Sequence, residues 1–368
     1  MRFSIFNFQT NMKPFLTAFM FLFILAACNE NPNNSHEAQF SEQIPQLQKS
    51  EIPGQANVLE VTTVHDHEKD LHLFEMSSDE IASGWTTIRF ANASHTDHFF
   101  MIYKVPEEAI DAAQAAGESL LDHWYNSVTV PFQEEFNPYV KGVEDIDYGT
   151  FVDNLVAAIL EKGPWFFDPG APPMGGPGLT SAGLTSETTV YLEPGKYVVE
   201  CYVKDENEIF HSYRGMLELL SVTDESNRRP DPNGSIKLNI SSERGFELNR
   251  PMSPGNQTVE IHFEDQETYA HLLGHNVQLV RLADKDDQEL LNELSDWMDW
   301  RMPGSLVFRA PEGAELLGGS MEMTAGSTAF YHVNLEPGDY AWIAEIPDPD
   351  AHNMLKTFRI PREHSIAR

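Results

Sequence analysis

Three hydrophobic patterns divide this chain. The first is a solid apolar run over 15–27, FLTAFMFLFILAA, preceded by Arg2 and Lys13 and closed by Cys28. It is shorter than the ~20 residues needed to span a bilayer. It reads as the apolar centre of an export signal covering 1–27. The polar, aperiodic stretch behind it makes 28–55 a flexible tether. The second pattern is short runs of β-branched and aromatic residues bounded by turn residues. It predicts strands over 58–65, 84–90, 99–105, 188–192, 197–203 and 216–222. The third is helical spacing. Ile110, Ala113, Leu120, Leu121 and Trp124 line one helix face behind Pro106, and 151–160 forms a second short helix. Leu290, Leu291, Leu294 and Trp297 mark another over 288–298.

These patterns recur in the same order. Gly175-Gly176 is followed after six residues by Gly183, and after eight more by Leu192-Glu193-Pro194-Gly195-Lys196-Tyr197. Gly318-Gly319, Gly326 and Leu335-Glu336-Pro337-Gly338-Asp339-Tyr340 repeat that spacing without a gap. Upstream, His98 to Val105 matches His275 to Leu282; downstream, the run from Met216 matches the run from Met354. Two homologous domains follow, 56–225 and 236–363, joined by a turn-rich linker over 226–235. Each has a helical insertion after its His strand, about 106–178 in the first. The predicted class is mainly β: two tandem Greek-key β-sandwiches, each with a helical insertion.

Composition narrows the function. With 24 Lys+Arg against 57 Asp+Glu, the formal charge is -33. Such a surface gains no counterion release from nucleic acid and cannot dock on anionic lipid through basic patches. Two cysteines exclude a disulfide scaffold. Leu25-Ala26-Ala27-Cys28 resembles the lipobox of bacterial lipoproteins. That resemblance implies lipidation of Cys28 and a lipid-anchored, extracytoplasmic place in a bacterial cell envelope, with the membrane as a partner. Cys201 is then the sole remaining thiol. It is either a small buried hydrophobe or a functional thiolate.

Alternation puts Tyr197, Val199, Cys201 and Val203 on one strand face. Ten positions beyond Cys201 is His211, and five beyond that Met216. With His98 these make two imidazoles, a thiolate and a thioether, the soft and borderline donors that suit copper in both oxidation states. The segments "NASHTDHFF", "LEPGKYVVECYV" and "HSYRGMLELLSV" resemble the cupredoxin, or blue copper, family across most of the chain. The resemblance implies one copper in the first domain, held by His98, Cys201, His211 and Met216, for electron transfer with a redox protein partner or for copper handling. One feature departs from the family, which places the second His two to four residues after the Cys: here nine residues, 202–210, intervene between Cys201 and His211. The second domain keeps His275 and Met354, has His352 near the place of His211, and carries Ala344 in place of Cys201. It reads as a copy without a copper site.

The other reading is a metal-free interaction or structural lipoprotein on two degenerate sandwiches. A two-domain copper oxidase or nitrite reductase is disfavoured because Glu200 and Tyr202, not histidines, flank Cys201, and no enzyme activity is expected. His65, His67 and His72 could form a second metal site but are read as a solvated strand-end cluster, His95 as a loop residue, and Trp165 to Phe167 as packing for the insertion.

Overall fold

A computed structural model describes residues 57–362 apart from His67 and Asp70. The expected signal, the tether and Cys28 lie outside the described residues, as does His67. No helix among the described residues is long and apolar enough to cross a membrane.

The first repeat unit contributes β1 (Val58–Asp66), β2 (Leu71–Met76), β3 (Glu80–Ala91), β4 (Met101–Lys104), β5 (Thr185–Leu192), β6 (Gly195–Glu200) and β7 (Leu217–Ser226). The second contributes β8 (Ile236–Ser241), β9 (Gly245–Leu248), β10 (Gly255–Phe263), β11 (Val277–Leu282), β12 (Ala314–Ser320), β13 (Thr328–Leu335), β14 (Gly338–Ile343) and β15 (Leu355–Ile360). Between β4 and β5 lie α1 (Glu107–Ala116), α2 (Leu120–Trp124), α3 (Val130–Val140) and α4 (Tyr148–Lys162); α5 (Gln288–Met298) follows β11. The mainly β class with a helical insertion in each unit is as the sequence predicts. The exception is α3, whose pattern Pro131 and Pro138 obscure; it continues from α2 without a break through a π-helical turn over Tyr125–Thr129, which ends just before Pro131.

The two units share their pairing register. In β4–β6, Met101 faces Glu200 and Lys104 faces Tyr197; in β11–β14, Gln278 faces Ile343 and Arg281 faces Tyr340. β1 runs parallel to β3 as β8 does to β10. The repeated glycine pairs have the same cause in both. A side chain on Gly176 would collide with the Phe100 carbonyl, and one on Gly319 with the equivalent Val277 carbonyl; both glycines have positive φ. Loop and His strand therefore approach more closely than a Cβ allows.

Two sheet features position the site. β3 changes partners at Gly84 (φ 119°): Glu80 to Ala82 pair with β7, and Thr87 to Ala91 with β1, so one strand serves both layers. β5 pairs antiparallel with β13, joining the units edge to edge. The core is continuous across them. Phe136 of α3 packs on Phe151, Phe210 and Trp300 with ring centroids 5.7, 5.1 and 5.8 Å away.

Candidate metal centre

His98 ends the approach to β4. Its backbone N–H donates to Thr180 O (3.3 Å) and its carbonyl accepts from Thr180 N–H (2.8 Å). Cys201 follows the last residue of β6 and donates its N–H to Met216 O (3.2 Å). The long segment to His211 is a closed hairpin. Asp205 N–H donates to Ile209 O (2.8 Å), and Asp205 Oδ1 accepts from Asn207 N–H (2.7 Å) and Ile209 N–H (3.0 Å). Lys204 pairs with Phe210, and His211 N–H donates to Val203 O (2.8 Å). The nine residues thus fold back on themselves and return His211 beside Cys201.

Buried Lys204 anchors this hairpin to the second unit. Its Nζ pairs with Glu208 (2.6 Å), donates to Trp300 O (3.1 Å) and lies 4.8 Å from the Phe136 ring centroid. Burial pushes its pKa down against the opposing pull of Glu208.

Three donor atoms converge. His98 Nδ1 and His211 Nδ1 are 3.1 Å apart, and Cys201 Sγ lies 3.5 Å from the first and 4.0 Å from the second. All three residues are essentially inaccessible to water. Burial, then the charge of neighbouring imidazoles, holds both histidines well below their ordinary pKa, and burial pushes the Cys201 thiol up to about 12. The metal-free cluster is therefore neutral: two imidazoles and a thiol that satisfy each other only by sharing protons. One cation at their common focus would engage all three donor atoms, although His98 Nε2 stays buried without a partner among the described residues, and N,N,S donors suit copper. Met216 is placed by its backbone, accepting from Cys201 and donating to His211 O (2.8 Å), with its side chain buried.

His72 joins this centre, which the sequence reading did not foresee. One ring nitrogen each of His72, His98 and His211 lie within 4.8 Å of one another. The expectation of a solvated strand-end cluster is corrected for His72, which is 5% exposed. In the β1–β2 hairpin His72 faces His65, and its N–H donates to Arg214 O (3.1 Å), which holds the ring over His211. The usable signal was the hairpin register, set by the turn between the strands. The rings form a column: exposed His95 to half-buried His65 (5.1 Å), His65 to His72 (4.4 Å, stacked), His72 to His211 (4.0 Å, stacked).

The second unit repeats the backbone without the donors. Ala344 N–H donates to Met354 O (3.0 Å), as Cys201 does to Met216. Met354 N–H donates to Pro349 O (2.7 Å), so Pro349, not His352, takes the place of His211. His275 instead contacts Tyr269, Nδ1 to the hydroxyl at 3.2 Å.

No protein-family model matches the chain, and no curated protein matches it. Among solved structures, the chain is similar to reduced auracyanin from Roseiflexus castenholzii at 15% identity, over 46% of this chain and 99% of that one, with a TM-score of 0.23. Auracyanin A, a blue copper protein of Chloroflexus aurantiacus, gives 18% identity over 45% and 98%, with a TM-score of 0.22. The blue copper oxidase of Nitrosomonas europaea gives 12% over 84% and 88%, with a TM-score of 0.20. At these scores the likeness carries no weight for function, and the metal reading rests on the donor cluster.

Proposed function

We propose that this chain is a membrane-tethered, extracytoplasmic cupredoxin-like protein that binds one copper ion in its first unit. The observation that carries the reading is the convergence of His98 Nδ1, His211 Nδ1 and Cys201 Sγ within 4.0 Å in a buried pocket. Cys201 would serve as thiolate, His98 and His211 as imidazole donors, with Met216 and His72 beside them. Bound copper would supply a one-electron redox change. The chain's contribution is to hold these donors on hydrogen-bonded backbone and exclude water, which limits rearrangement between oxidation states. Ala344 and Pro349 support one copper per chain rather than two.

Electron transfer is favoured over storage by the imidazole column, which reaches from the exposed His95 ring to His211. A redox protein docking near His95 is the partner this implies. Lipid on Cys28 would keep the protein at the cell envelope. We assign no catalysed reaction, since Glu200 and Tyr202 beside Cys201 offer no metal-ligating imidazole.

The test is copper titration of the purified protein with visible absorbance and metal analysis. One copper per chain and an intense band near ~600 nm, both lost in Cys201→Ser, support the proposal. Absence of stoichiometric copper leaves the metal-free interaction lipoprotein. Intact-mass analysis of membrane-extracted protein tests lipidation of Cys28 separately.

A further inference from the structure

A cavity lies on the opposite side of the Cys201 strand from the donor cluster. Strand alternation sends Glu200 away from that cluster, into this cavity of about 340 Å³ between the helical insertion and the second unit. Its walls are apolar and largely aromatic, including Phe132, Phe166, Phe210 and Trp300. Two acids, Glu200 and Glu322, line it, and no Lys, Arg or His does. Glu322 accepts from Gly274 N–H (2.7 Å). Glu200 makes no side-chain hydrogen bond or ion pair within the described residues.

The fold does not require these acids. By the repeat spacing, Glu200 corresponds to Ile343 and Glu322 to Leu179, and both of those are fully buried apolar side chains. Each unit therefore closes its core with an aliphatic residue where the other places a carboxyl group. Glu200 is half-buried and the described residues give it no hydrogen-bond partner, so its carboxyl group is free to accept one from a molecule in this aromatic-walled cavity.

We propose that this cavity binds a small organic amine. The ammonium group would donate to Glu200, with the Glu322 carboxyl group as a second acceptor, and the apolar body would lie against the aromatic walls. The proposal is independent of copper, because neither acid belongs to the donor cluster.

Calorimetric titration of the metal-free full chain in detergent with phenethylamine tests it, with 2-phenylethanol and 3-phenylpropionate as neutral and anionic counterparts. Saturable one-to-one binding of the amine, at least tenfold tighter than either counterpart, is expected. Glu200→Gln and Glu322→Gln, each checked for native circular dichroism, should weaken it tenfold or more. Equal binding of 2-phenylethanol, tighter binding of the anion, no saturable binding, or a folded Glu200→Gln that binds as well as the parent overturns the proposal. Should Glu200→Gln not fold, the ligand series and Glu322→Gln decide the matter. Copper stoichiometry, measured separately, has no bearing on this result.

Discussion

Copper loading should release one proton per ion between pH 6.5 and 8.5, and that number distinguishes a thiolate site from an all-histidine one. Burial holds the Cys201 thiol near 12, so at these pH values the metal must displace its proton. Ionising such a thiol at pH 7.5 costs about 6 kcal/mol at ~1.4 kcal/mol per pH unit, which copper binding must offset. His98 and His211 are held well below 6.5, so they are already neutral and release none. Apparent affinity should therefore rise about tenfold per pH unit, roughly 100-fold over the window. A competing Cu(I) chelator at pH 6.5, 7.5 and 8.5 measures the slope. Calorimetry in two buffers of different ionisation enthalpy counts the proton. Cys201→Ser should remove both the slope and the proton. A flat affinity with no proton released would refute thiolate binding and point to His72, His98 and His211 as the donors.

Two further outcomes follow from the core. Burial pushes Glu322 up to about 7 from 4.5. The folded chain then keeps a proton that the unfolded chain loses, so this contribution is present below pH ~4.5 and is lost as pH rises to about 7. It amounts to about 3 kcal/mol. In urea unfolding, Glu322→Gln should gain that much relative to the parent between pH 4.5 and 7; a constant difference would contradict the assignment. Gly176→Ala combines positive φ with a collision against Phe100 O and should lose about 3 kcal/mol. Gly183→Ala has positive φ but open space around it and should lose about 1 kcal/mol by the same assay.

The sequence by itself determined the parts that are local or repeated. Alternation and turn residues placed the strands, the gapless Gly and LEPG spacings placed the repeat, and Ala344 announced that the second unit lacks a thiolate. His98, Cys201 and His211 were readable as candidates because their residue types are chemically unusual together. Their convergence was not readable. Nine intervening residues permit many loops, and the Asp205 turn and the Lys204 anchor in the second unit select the one that closes. His72 was hidden for a related reason: its role depends on the register of a hairpin and on the backbone of Arg214, more than a hundred positions away. Pro349 displaced His352 because a backbone hydrogen bond fixes equivalence, while spacing only suggests it. The joining of the units through β5 and β13, and the cavity that Glu200 and Glu322 line, also belong to the tertiary structure. Side-chain periodicity reports which face is buried, whereas long-range packing decides what it is buried against.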